Sequence, residues 1–213
     1  MTTPPSRNEL YYLTIGQASR LIRNRELSPV ELTQACLDRV ERANGQVNAL
    51  VFVDPETAIA QAAEAQQRYA LRQPLGLLDG LPIVVKDNIA VSGWPMTNGL
   101  AVQHTSSADA DIVSRLRRQG VVMLGSANMD EGALAAAGVN PHHGRIMNPD
   151  FPGYASGGSS SGSAAAVAAG FCCAALGTDT LGSVRLPAAY CGLVGFKPSH
   201  GRLSTTGIIS LLP

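Results

Sequence analysis

The chain has no excess charge of either sign: sixteen Lys and Arg balance sixteen Asp and Glu across 213 residues. Nucleic-acid binding is dominated by clustered basic residues, so this balance argues against nucleic acid as the main partner. Charge of any sign is also scarce, at 15% of residues, against about a quarter in a typical globular protein. With 45% of residues hydrophobic the chain is too apolar to be disordered, and its 22 glycines are too many for a helical bundle. The longest apolar run, Ala164–Leu176, has thirteen residues and is broken by Gly170. A bilayer span needs about twenty, so no membrane is expected as a partner. Met1–Leu13 lacks the apolar stretch of a secretory signal. The cysteines (Cys36, Cys172, Cys173 and Cys191) show no C-x-x-C spacing. They read as small buried hydrophobes in a reducing compartment, which implies a cytoplasmic protein. His104, His142, His143 and His200 have no metal-ligand spacing such as H-x-x-x-H. They read as non-catalytic, and neither metal nor cofactor is expected.

What is present divides the chain in two. Residues 1–75 read as a helical, polar-faced packing layer. Ser28-Pro29-Val30-Glu31 joins a capping box to proline at the first helical position, and Leu32, Cys36, Val40 and Ala43 follow on one stripe. Asp54-Pro55 repeats the start signal before a second helix over Glu56–Ala70. Residues 76–213 read as an α/β core belonging to the same single domain. Leu81–Val85 is a short, β-branched apolar run that predicts a buried strand. Asp111–Gln119 predicts a helix, Val121–Leu124 another buried strand, and Met129–Ala137 a helix ending at Gly138. Helices alternating with fully apolar strands are the α/β signature. Arg115, Arg117 and Arg118 read as a solvated helix face.

From Asn140 to Gly201 these signals give way to Gly, Ser and Pro, and such a stretch inside a domain is uncommon unless it is functional. Gly157–Ser163 is a polar loop running into the Ala-rich helix Ala164–Ala169, whose free N–H groups suit an anion or a developing oxyanion. It is not a phosphate-binding P-loop, since no Lys follows. Gly158–Gly162 formally matches G-x-S-x-G, but that elbow needs a preceding strand, and Asn148–Gly153 with its two prolines cannot be one. Gly177–Pro187 sets a Ser beside Gly in a short turn, with Asp179 and Arg185 six residues apart and expected to pair and brace it. Such a turn suits an oxyanion hole beside a nucleophile, though a structural turn explains it equally well. Lys86 follows a buried strand. Burial would lower its pKa and make it a base, but taken alone the residue reads better as a lysine whose stem is buried while its head snorkels to solvent.

Leu81–Asn88, the Gly157–Ser163 loop, and Gly177–Pro187 followed by Cys191–Pro198 together strongly resemble the amidase signature family. The resemblance covers nearly the whole chain, including Asn128-Met129-Asp130-Glu131. It implies a mixed central β-sheet covered by helices on both faces, incomplete at the C-terminus. It also implies an amidohydrolase that cleaves a non-peptide carboxylic amide and releases carboxylate with ammonia or an amine. By position, Ser183 would be the nucleophile, Ser159 the bridging cis-serine and Lys86 the base. Backbone N–H groups of Thr180, Leu181, Gly182 and Ser183 would form the oxyanion hole. The partner would be a small-molecule amide, with a second copy or a C-terminal half as possible protein partners.

The chain departs from the family at two residues and in length. Leu181 and Ser161 stand where the family usually or often has Gly. A side chain at 181 costs little if its φ is negative and distorts the turn if it is positive. Family members are also typically much longer. Two alternatives follow from the resemblance. One is the amidase-type subunit of a tRNA-dependent amidotransferase, against which stands Leu186, where such subunits commonly have Gln between Arg and Pro. The other is an inactive, truncated chain acting only by binding or assembly, since an abrupt end should leave a sheet edge and core face uncovered.

Overall fold

A computed structural model describes residues 10–210; the extreme N-terminus and the Leu211-Leu212-Pro213 end lie outside them. Local capping chemistry starts the first helices. Thr14 and Gln17 form a capping box for α1 (Ile15–Arg23), and Ser28 and Glu31 form another for α2 (Pro29–Val47), with Pro29 at the first turn. Asn48, at φ 57°, ends α2 in the left-handed conformation. The chain then forms β1 (Leu50–Val53), and Asp54 accepts the Thr57 N–H to start α3 (Pro55–Ala70). Asp79 receives the Arg68 guanidinium through two bonds, 3.0 and 2.7 Å long, and so ties the exit of α3 to the entry of β2 (Pro82–Lys86). A small ribbon, β3 (Pro95–Met96) with β4 (His104–Thr105), precedes α4 (Asp111–Arg118) and β5 (Val122–Ala127). After it come the ribbon β6 (Val139–Asn140) and β7 (Gly144–Arg145), then α5 (Ser161–Ala168), β8 (Ala174–Leu176) and α6 (Arg185–Tyr190).

The central sheet has the order β1-β5-β2-β8. Strands β5, β2 and β8 are parallel and β1 is antiparallel to β5, so the sheet is mixed. Side-chain alternation divides the sheet's two faces between two cores. Val84, Val122 and Leu124 join Leu32, Cys36, Ala58 and Ala166 under α1, α2, α3 and α5. Ile83, Val85 and Met123 join Val113, Val91 and Trp94 beneath α4. Helices therefore cover both faces. Among the described residues no helix is long and apolar enough to cross a membrane.

Two expectations are corrected here. The helix expected over Met129–Ala137 is a single 3₁₀ turn at Glu131–Ala133, because Gly132 (φ 56°) and Ala133 (φ 61°) adopt left-handed backbone that no α-helix tolerates. Tertiary bonds hold that shape: Gly132 donates its N–H to Asn98 O, and Val139 donates to the Asp130 carboxylate. The packing layer expected to be all helical also contains β1, which supplies the sheet's antiparallel edge.

Candidate active site

The parallel strands run so that β2, β5 and β8 all end on one side of the sheet. Loops leaving the carboxyl ends of parallel strands are where α/β folds gather their chemistry. Lys86 is the last residue of β2, Asp130 follows β5 by three residues, and Thr178 and Asp179 follow β8. Sequence separations of up to 92 residues collapse to hydrogen-bond distance there.

Lys86 is fully buried. Its Nζ lies 2.8 Å from Ser159 Oγ and 2.8 Å from Thr178 Oγ1. Burial, the largest influence, lowers its pKa to about 7, while the negative charges of Asp130 and Asp179 pull it back up. Among the described residues no carboxylate forms an ion pair with it. The amine is therefore neutral in a large fraction of molecules near neutral pH. Asn88 Nδ2 donates to Thr178 Oγ1 (3.1 Å) and fixes the hydroxyl that Lys86 also meets.

Ser159 is buried, and the peptide joining it to Gly158 is cis. Its carbonyl accepts the Asp130 N–H at 3.3 Å. The next residue, Ser160, is committed to structure: its Oγ donates to Thr178 O (3.1 Å) and accepts from Thr178 N–H (3.2 Å). Ser160 also donates its N–H to Ser183 O at 3.1 Å, which docks the serine loop onto the turn after β8. Ser183 is half-buried, and its hydroxyl makes no hydrogen bond among the described residues. Lys86 and Ser159 thus touch directly, while Ser183 is tied through its backbone carbonyl to Ser160, the residue after Ser159.

Asp179 and Arg185 pair as expected, with Nε to Oδ2 at 2.9 Å and Nη2 to Oδ1 at 3.0 Å. Burial pushes the Asp179 carboxyl up, but the guanidinium and three backbone donors outweigh it and hold it well below the usual carboxylate range. Those donors are Gly182 N–H (2.8 Å), Val184 N–H (3.2 Å) and Arg185 N–H (3.3 Å). Of the expected oxyanion donors, Gly182 N–H donates to Asp179, while the N–H groups of Thr180, Leu181 and Ser183 have no acceptor among the described residues. Gly182, at φ 128°, occupies backbone that only glycine adopts readily, whereas Leu181 is not among the positive-φ residues and its side chain is 91% exposed. Leucine at 181 therefore leaves the turn undistorted.

The histidines lie elsewhere. His142 meets Glu131 at 3.1 Å, and His143 meets Thr97 Oγ1 and Leu100 O at 3.1 Å each. Thr178, Asn88 and Asp130 are residues to which sequence reasoning assigns no role. Thr178 lies inside a motif that the sequence singles out, but its partner Lys86 is remote along the chain.

The family model described as Amidase matches residues 31–213, and the chain belongs to that family. A glutamyl-tRNA(Gln) amidotransferase subunit from Chloroflexus aggregans is 43% identical over 204 residues, covering 95% of this chain and 42% of that relative. A crystal structure of an amidase superposes with TM-score 0.87 at 39% identity, covering 93% of this chain and 46% of the other. Native peptide amidase from Stenotrophomonas maltophilia superposes with TM-score 0.86 at 36% identity, covering 92% and 42%. The chain spans less than half the length of these relatives.

Proposed function

We propose that the chain carries the nucleophile and base of an amidohydrolase acting on a small, non-peptide carboxylic amide. The observation that carries this reading is the buried Lys86 amine, without an ion-pair partner among the described residues, 2.8 Å from Ser159 Oγ. Neutral Lys86 takes the Ser159 proton as Ser159 takes that of Ser183, and the freed Ser183 oxygen attacks the amide carbonyl. Backbone N–H groups of Thr180, Leu181 and Ser183 receive the developing oxyanion. Collapse breaks the C–N bond, and the same relay returns a proton to the leaving nitrogen. Water then attacks the acyl-enzyme, passing its proton to Lys86 through Ser159; as the acyl–Ser183 bond breaks to release carboxylate, the relay returns that proton to the Ser183 oxygen.

The test is covalent labelling by a fluorophosphonate, mapped by peptide mass spectrometry. Label is expected on Ser183 and is lost in Ser183→Ala. It forms at least about a hundredfold more slowly in Lys86→Met, the scale of a general base. Label on Ser160 instead would overturn the assignment. Because the base must be neutral, the labelling rate should rise with pH and reach half its maximum near the Lys86 pKa of about 7.

The 43% identity to an amidotransferase component favours a second reading, the amidase-type subunit of a tRNA-dependent amidotransferase. Arg185-Leu186-Pro187, with Leu at the position where Gln is common in such subunits, ranks it lower. Hydrolysis of simple aliphatic or aromatic amides by the isolated chain supports the first reading. Turnover that appears only with partner polypeptides and charged tRNA supports the second. An unlabelled chain that only self-associates or binds a complementing polypeptide supports an assembly role.

A further inference from the structure

Asp130 is completely buried, yet it belongs to none of the groups that exchange protons in the proposed reaction. Its contacts converge on a single segment. Its backbone N–H donates to Ser159 O at 3.3 Å. Its Oδ2 accepts the Ser161 hydroxyl at 3.2 Å, across 31 residues of sequence. The same oxygen lies against the α-carbon of Gly158, where an added Cβ would collide with it. Oδ1 accepts Val139 N–H at 2.9 Å, which anchors the carboxylate from the opposite side. Gly158, Ser159 and Ser161 are therefore all registered against one residue. Ser161, standing where the resembled family often has Gly, supplies the only side-chain hydroxyl in that grip.

We infer that Asp130 is a positioning residue that holds the Gly158–Ser161 segment so that the Ser159 hydroxyl meets the Lys86 amine. The inference rests on the hydrolase reading for its catalytic meaning. Asp130 does not touch substrate or reacting atoms; it acts through Ser159 and Lys86. The charged groups whose fields act on Lys86 are Asp130, from the loop after β5, and Asp179, from the loop after β8. Asp87, the next residue after β2, is turned away onto Thr97 and Gly99. Burial is the main force pushing the Asp130 carboxyl up; the Val139 and Ser161 hydrogen bonds and the Lys86 charge oppose it. The same arrangement explains the glycine at 158: any side chain there would displace either the carboxylate or the loop.

The chain makes this testable, because Lys86 and Lys197 are its only two lysines. Lysine labelled with carbon-13 at Cε gives two NMR signals, so the Lys86 titration midpoint is read without turnover. In Asp130→Asn, which keeps the shape and an acceptor for Val139 N–H, that midpoint is expected to move to lower pH. Fluorophosphonate labelling of Ser183 is expected to slow roughly tenfold to a hundredfold, the cost of a small misplacement of a catalytic group. A purely structural role predicts the opposite sign, since a collapsed loop admits water and moves the midpoint up toward ordinary lysine. A midpoint that rises or stays put overturns the inference. Should Asp130→Asn fail to fold, Ser161→Gly carries the test. It removes one donor and adds no bulk; slower labelling is expected, and an unchanged rate overturns the inference. A wild-type chain that takes no label refutes the hydrolase reading instead, and the Lys86 midpoint still judges Asp130.

Discussion

At the scale of single residues, Lys86 is an ionisable side chain held wholly out of solvent. An ammonium in its place would be desolvated, and the charges of Asp130 and Asp179 offset only part of that cost. Folding therefore selects the neutral amine, and between pH 7 and the ordinary lysine value the unfolded chain binds more protons than the folded one. Stability contributed at this site accordingly rises with pH over that window. Lys86→Met should raise Tm at pH 7 by at least about 3 °C, since a kcal/mol moves a chain of this size by about 2–4 °C. That gain should shrink steadily as pH approaches 10, a dependence scanning calorimetry at several pH values will read. Asp179 works in the opposite sense. Its folded pKa is depressed, so the stabilisation it gives is present above the ordinary carboxylate range and is lost as pH falls through that range and below it.

At the scale of elements, the turn between β8 and α6 is built by one carboxylate gathering three backbone N–H groups and a guanidinium. Asp179→Ala releases all of them. Amide hydrogen exchange at Gly182 and Val184 should speed up by about tenfold or more, as for any lost buried hydrogen bond of about 1.5–3 kcal/mol to a charged group. The strands should keep their protection. This pairing is legible in the sequence because both partners lie within six residues. So are the starts of α2 and α3, where Ser28 and Asp54 act on donors within one turn. Strands β2 and β5 are legible from their unbroken apolar runs. Strand β1 is not, because four residues between two helices carry no period of their own. The segment 129–137 reads as a helix because its Ala and Leu favour one, whereas bonds from Asn98 and Asp130 impose a turn. The meeting of Lys86 and Ser159 is legible only through resemblance to a family, for nothing local relates residues 73 apart. The parts played by Thr178 and Asp130 stay hidden for the same reason.

At the scale of the whole molecule, the described residues leave β8 with β2 as its sole strand partner. Nearby lies a groove of about 760 Å³, lined in part by Tyr12, Val167, Cys173 and Val194. Val194 is 98% exposed, and Phe196 is exposed beside it in sequence. Apolar groups left open next to an unpaired strand favour self-association. Sedimentation of the 213-residue chain should show a concentration-dependent shift to larger species. Val194→Glu with Phe196→Lys should return it toward monomer, and identical profiles for both proteins would refute this account.

The burial of the amine at position 86 has one more consequence. Its pKa is lowered mainly by the exclusion of solvent, a cause that dissolved ions do not screen. Raising ionic strength tenfold should therefore leave the acid limb of the labelling rate nearly where it was, a salt tolerance that a base tuned by an exposed counter-charge would lack.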